Sequence, residues 1–286
     1  MTDPLNNPIA DPLVEVKDTD ATGGLVEFEG TPEGAVTVWI NRAARKNAFD
    51  SSTIAALHQA FETLHGQDGV RIVFVRGRGG NFSAGADLDW MREAADLTED
   101  DNHEDAMAMA RMLKQLYDLR PLTVALVEGG AFGGGVGLIA ACDMAIAVND
   151  ARFAFSEVKL GIIPATISPY VVRAIGPRAA RGLFATGRMF DAGEAEKLGL
   201  VNELVADAEA LDVAQARLSA DIMACAPGAV AAAKDLVAFV ANDGDIDHHT
   251  LDETARRIAR ARVGDEGREG IAAFLEKRKP SWTSMA

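Results

Sequence analysis

Two glycine-flanked loops and one glutamate have the types and spacing from which a reaction could be built. Ala84-Gly85-Ala86-Asp87 follows the apolar run 70–76, and Gly133-Gly134-Gly135 follows the apolar run 123–127. Each loop opens a helix, where backbone N–H groups lie bare because no carbonyl precedes them by a turn. Two such amides converging from two loops form an oxyanion hole, which holds negative charge developing on a carbonyl oxygen. The helix starting at Gly134 adds its positive end. Five of the seven residues from Gly129 to Gly135 are glycine, and ordering that many costs backbone entropy that alanines would not. Close approach of a ligand to the backbone explains them; tight packing of a helix on a sheet is the plainer explanation.

Other uses of these glycines fit less well. A P-loop needs Lys-Ser/Thr after its glycines, and Gly135-Val136-Gly137 has neither. A dinucleotide fingerprint belongs in the first strand–helix unit, whereas this run lies mid-chain. The five histidines, 58, 65, 103, 248 and 249, are scattered over polar helix faces, and Gly-x-Ser-x-Gly is absent. Metal ligation, acyl-enzyme chemistry and histidine acid/base catalysis therefore have little support, and no metal is expected. A carboxylate remains. Glu157 follows the short strand 151–155 and precedes the apolar stretch Leu160 to Pro164. A solvated or capping glutamate is the plain reading of such a residue. Its place one strand after the glycine run, at the same end of the sheet, makes it a candidate proton carrier, since an apolar surround moves a carboxyl towards neutral pH.

The elements that would position these groups alternate strand and helix. Strands are expected at 13–17, 25–29, 35–41, 70–76, 123–127, 144–148, 151–155 and 200–205. A helix capped by Asp50 or Ser51 shows Ile54, Leu57, Phe61 and Leu64 at helical spacing. A long acidic helix, 99–119, shows Met109, Met112, Leu113 and Leu116 on one side and ends at Pro121. Shorter helices are expected at 168–175, 177–185 and 192–197. The repeated strand–helix–strand order implies a parallel α/β architecture with crossover connections. From Asp207 onward only helices are expected, with one apolar stripe of Leu211, Ala214, Leu218 and Ile222 and another of Val230, Ala233, Val237 and Val240. Three parts follow: a loose leader at 1–12, a core at 13–205 and a helical region at 206–286. That helical region is thin in core residues, which suits packing on another subunit or back on its own body.

Composition sets limits on the partner. The 286 residues are 48% hydrophobic and 25% charged, ordinary for a globular protein with a large core. A net charge of −15 argues against nucleic acid or an anionic membrane as partner, while leaving room for a small anionic ligand held by local cations. Two cysteines make no disulfide framework, no signal pattern opens the chain, and no apolar run approaches about 20 residues. A soluble, cytoplasmic protein is the expectation.

Asn41-Arg42…Asn47-Ala48, Phe82-Ser83-Ala84-Gly85-Ala86-Asp87-Leu88, Gly133-Gly134-Gly135 with Asp143, and Ser156-Glu157-Val158…Gly161-Ile162-Ile163-Pro164 together resemble the enoyl-CoA hydratase/isomerase (crotonase) superfamily. The resemblance runs in order from about residue 13 to 282. It implies a spiral of strand–strand–helix turns with a C-terminal helical region used in trimerisation, as a homotrimer or a dimer of trimers, and acyl-CoA thioesters as substrates, with no separate cofactor. By position it implies oxyanion amides at Ala86 and Gly134 and a catalytic carboxylate at Glu157. Lys46, Ala48, Ala84, Asp87 and Leu88 would border the CoA adenine and phosphates, and Phe274 and Lys277 would cover the nucleotide, often that of a neighbouring subunit. Typical hydratases carry a second glutamate three residues after the central glycine. Here that position is Gly137, expected to leave side-chain-sized space for a branched substrate. Ala131 to Leu138, Asp89-Trp90-Met91 and Ile167-Ser168-Pro169 most resemble the methylglutaconyl-CoA and isohexenylglutaconyl-CoA hydratases. Water addition to an α,β-unsaturated thioester leads; double-bond isomerisation by the same glutamate, or acyl-CoA binding without catalysis, are the alternatives.

Overall fold

The computed structural model describes residues 24–243 and 245–283. The expected leader and the strand at 13–17 lie outside the described residues. Nine strands are described: β1 Val26–Gly30, β2 Ala35–Ile40, β3 Ile72–Gly77, β4 Leu122–Val127, β5 Gly130–Phe132, β6 Met144–Val148, β7 Arg152–Ala154, β8 Met189–Asp191 and β9 Glu203–Val205. They form two sheets, one in the order β1-β2-β3-β4-β6-β9 and one in the order β5-β7-β8. β1 runs antiparallel to β2, and every other neighbour in the larger sheet is parallel. Helices α1 Ser51–His65, α2 Leu88–Ala95, α3 Glu99–Tyr117, α4 Gly134–Ala141, α5 Ser168–Thr186 and α6 Ala192–Leu198 lie between strands, and α7 Ala208–Met223, α8 Pro227–Asp243, α9 His248–Val263 and α10 Asp265–Glu276 follow the last one. The chain thus spirals. β4 in the large sheet, β5 in the small sheet and α4 make one strand–strand–helix turn; β6, β7 and α5 make the next.

The core forms where periodicity placed it. All residues of β3 are buried, as a central parallel strand covered on both faces requires. Ile54, Leu57, Phe61 and Leu64 of α1 and Met109, Met112, Leu113 and Leu116 of α3 are buried too, each such side chain contributing about 1.5–3 kcal/mol on leaving water. The Asp50 side chain accepts the Thr53 N–H and starts α1, and that of Thr98 accepts the Asp101 N–H and starts α3. The two helices expected at 168–175 and 177–185 are the halves of α5, broken where Gly176 takes φ 75° ahead of Pro177. Asp143 accepts from both the N–H and the hydroxyl of Thr123 at the start of β4, and pairs with Lys234 of α8 at 2.6 Å. The helical region is clamped to the sheet there.

Three expectations needed correction. The glycine run does not pass directly from loop to helix, because Gly130–Phe132 pairs with β7 as a strand. Three residues are too few to show a period, and only the partner strand stabilises them. Of the second apolar stripe in the helical region, Val237 and Val240 stand 69% and 47% exposed. Ala231 is the buried residue of α8 instead, because Lys234 takes the inward face to reach the carbonyls of Leu119 and Pro121. His58 is not on a purely polar face: its Nδ1 is buried, with no hydrogen-bond partner among the described residues.

Candidate active site

The two glycine loops run side by side. Ser83 bridges Ala131 in a parallel pair, with the Phe132 N–H donating to Ser83 O at 3.0 Å and the Ser83 N–H to Gly130 O at 3.1 Å. Ala86 and Gly134 each lie three residues beyond that bridge on their own segment. On its other side the first loop is bound to Phe49, which donates its N–H to Gly85 O at 2.7 Å and accepts that of Asp87 at 2.8 Å. Successive amides of extended chain point to opposite sides, so the Ala86 N–H faces away from Phe49. Neither the Ala86 nor the Gly134 N–H has an acceptor among the described residues. Close packing explains the glycines around them. A Cβ on Gly85 would stand 2.8 Å from Phe132 O, one on Gly135 2.9 Å from the Ser83 Cβ, and one on Gly134 2.9 Å from Met109 Cε. The packing that requires these glycines also leaves the two amides unpaired.

Asn47 and Arg42, which entered the sequence reading as motif residues, hold the first loop in place. Asn47 is fully buried at φ 56°. It donates to Arg78 O at 2.9 Å and Asn81 O at 2.7 Å, and accepts the Arg42 N–H at 2.9 Å. Its own carbonyl accepts from the Ser83 hydroxyl, and that of Lys46 accepts from the Ala84 N–H at 2.9 Å. Arg42 pairs with Asp50 and Asp87, both at 2.8 Å, and so links the caps of α1 and α2. The hints in the sequence were the Asn41-Arg42…Asn47-Ala48 motif and its place in a polar loop between a strand and a capped helix.

Glu157 sits at the head of the second loop. The Gly133 N–H donates to Ala154 O at 3.0 Å, and three residues later Glu157 opens a 3-10 turn that brings its side chain back. Its Oε1 lies 3.1 Å from where a Cβ on Gly133 would stand. Gly133, at φ 49° and ψ −116°, adopts a backbone that only glycine enters without strain. Glu157 Oε2 is sealed from solvent with no hydrogen-bond partner among the described residues. Burial pushes this carboxyl above the ordinary 4.5, against a weaker opposing pull from its own backbone N–H.

Other expected site residues divide by where their atoms point. Lys46 is exposed at φ 50° and its ammonium has no ion pair among the described residues. Leu88 is 66% exposed, and Ala84 is half-buried beside Lys46. Asp87 is turned inward: one oxygen accepts the Asp89 N–H at 2.8 Å and the other takes Arg42. The Asp89 bond first, then the Arg42 charge, holds its carboxyl below the usual range. Ala48 is buried, and its carbonyl is occupied by the Arg42 guanidinium at 2.8 Å. The Asp87 carboxylate is thus held by bonds within the protein. Phe274 is 83% exposed at the end of α10, and Lys277 follows it at φ 55°. No hydrogen bond or ion pair joins either side chain to the Glu157 region among the described residues.

The profile of the enoyl-CoA hydratase/isomerase family matches residues 30–285. The chain belongs to that family. The enoyl-CoA hydratase AKT6-1 of Alternaria alternata is 35% identical over 252 residues, covering 86% of this chain and 80% of its own. The crystal structure of an enoyl-CoA hydratase from Shewanella pealeana superposes with a TM-score of 0.86 at 40% identity, over 91% of this chain and 96% of that one. AtuE of Pseudomonas aeruginosa does so with a TM-score of 0.85 at 37% identity, over 91% and 100%.

Within this enoyl-CoA hydratase/isomerase chain, one expectation about position 137 is overturned. Gly137 leaves no open space. A Cβ there would stand 2.2 Å from Ile167 Cγ2 and 2.8 Å from Ile167 Cβ, well inside the roughly 3.5–4.0 Å of a carbon–carbon contact. The place of a side chain at 137 is filled by Ile167, itself 2% exposed. Thirty residues separate the two, so no local pattern announced the contact.

Proposed function

We propose that the protein adds water across the Cα=Cβ bond of a 2-enoyl-CoA thioester, with Glu157 as the one proton carrier. The observation that carries this is the junction of two adjacent loops, each with an unpaired amide, and a half-buried carboxyl at the head of one of them whose Oε2 is sealed and unpartnered. The thioester oxygen accepts from the Ala86 and Gly134 N–H groups. Glu157 takes a proton from water as the water oxygen bonds to Cβ. The C=C electron pair moves onto the thioester as an enolate, whose oxygen charge the two amides stabilise. Glu157 then returns the proton to Cα, which restores the C=O and leaves the carboxylate as it began. Lys46, Ala84 and Leu88 border the CoA moiety, and Phe274 and Lys277 cover it from a neighbouring subunit of a trimer. No separate cofactor takes part, and the cytoplasm is the setting.

Double-bond isomerisation is the second reading, favoured by one observation: position 137 offers no second carboxylate to orient water, because Ile167 stands over it. The resemblance of Ala131 to Leu138 to methylglutaconyl-CoA-type hydratases supports a branched or carboxylated acyl group. A substrate panel of 2-enoyl-, 3-enoyl- and 3-methylglutaconyl-CoA in ¹⁸O-water decides. Label in the product establishes hydration, a shifted double bond without label establishes isomerisation, and turnover retained in Glu157→Gln refutes the assignment of the proton carrier. Loss of a general acid–base group lowers the rate about 10²–10⁴-fold.

A further inference from the structure

The chain between Glu157 and Ile167 leaves α4 at one glycine and returns to it at the next turn. The Glu157 carboxyl lies against Gly133 and the Ile167 side chain lies against Gly137. The Gly137 N–H donates to Gly133 O at 3.2 Å, so the two glycines are one helical turn apart on the same side, where side chains four residues apart are neighbours. The intervening segment is fixed at both ends. The Ile162 N–H donates to Glu157 O at 3.2 Å, Gly161 turns the chain at φ 77°, and Ile167 is the residue from which α5 starts. Ile167 and the carboxyl are therefore set against glycines one helical turn apart, and the β-branch of Ile167 restricts its rotamers. No residue with a Cβ fits at 137 while Ile167 keeps this position.

We propose that Ile167 is the specificity-determining residue of this site. It forms the apolar wall beside Glu157 over the bare turn of α4, so that the acyl chain meets a branched hydrocarbon where a second carboxylate would otherwise stand. This rests on the acyl-thioester reading above and adds the residue that sets which acyl groups fit. Shortening Ile167 opens that wall towards Gly137, which has no side chain to refill the space. Substituents on the acyl chain then gain room that the Glu157 carboxyl does not compete for.

The test compares wild type, Ile167→Val and Ile167→Ala on two saturated thioesters that do not turn over, butyryl-CoA and isovaleryl-CoA, by calorimetry. It then compares crotonyl-CoA with 3-methylcrotonyl-CoA by kcat/KM. One methylene in an apolar pocket is worth about 10–200-fold in discrimination. The expected result is a branched-over-straight ratio raised about tenfold or more in Ile167→Ala, with Ile167→Val between. Ile167→Val removes a single methylene and keeps the fold if Ile167→Ala does not. Ratios within twofold of wild type in a variant with an unchanged circular dichroism spectrum, or ratios that fall, overturn the role of Ile167 alone. Failure of the wild type to bind either thioester overturns the acyl-thioester reading, and this inference with it.

Discussion

Replacing Glu157, the proposed proton carrier, by glutamine should abolish turnover and at the same time stabilise the protein at neutral pH. In the folded chain Glu157 Oε2 is sealed from water without a partner, and burial holds the carboxyl pKa above 4.5. The sign follows from linkage: the folded state binds this proton more tightly than the unfolded state does. The favourable contribution of the protonated carboxyl is complete below the unfolded value of about 4.3 and is lost as pH rises through the higher folded value. Above that, an ionised carboxylate is held with an unsatisfied oxygen, and a buried unsatisfied polar atom costs about 1–3 kcal/mol, more if charged. Glutamine keeps the shape without the charge, and its amide also lacks a partner, so the net gain is about 1 kcal/mol. For a chain of this size that is a rise in Tm of roughly 2–4 °C at pH 7.5–8. The gain should shrink towards zero near pH 4, where wild type carries the proton. Thermal unfolding of both proteins from pH 4 to 8, beside a hydration assay, reads both effects. A Glu157→Gln protein no more stable than wild type at pH 8, or one whose advantage does not change with pH, refutes the reasoning.

Further predictions concern the scaffold. Gly137→Ala should destabilise by about 1–3 kcal/mol through overpacking on Ile167, and the double variant Gly137→Ala/Ile167→Ala should recover part of what the two single losses sum to; additivity within about 0.5 kcal/mol in a double-mutant cycle of urea midpoints would refute the contact. Asn47→Ala strips three hydrogen bonds from part-buried backbone groups and should cost about 2–5 kcal/mol, towards the lower end of about 1–3 each because water can reach part of them, along with most turnover. Gly133→Ala should lose about 1–3 kcal/mol to backbone strain and also lose activity, because its methyl meets the Glu157 carboxyl. Gly176→Ala, at φ 75° with nothing within 4 Å of the added Cβ, should show the strain with kcat preserved; equal kcat losses in both would refute the steric argument.

Much of this protein could be read from its residues in order. Periodicity located α1 and α3 with their buried faces, because a helix that covers a sheet must repeat its apolar positions every three to four residues. Glycine placement marked both amide-bearing loops, since few other residues let backbone approach backbone so closely. Charge and composition, read together with the resemblance, pointed to a small acyl ligand. Tertiary structure decided the rest, because the decisive contacts join residues far apart in sequence. Asp87 reads as one residue of a loop that borders the CoA, and Arg42, forty-five residues earlier, turns its carboxylate inward. Gly137 reads as a gap, and Ile167 fills it. Glu157 reads as a loop glutamate like many others. Only the return of its side chain to Gly133, with Oε2 sealed from water, lets burial raise its carboxyl pKa above the ordinary value.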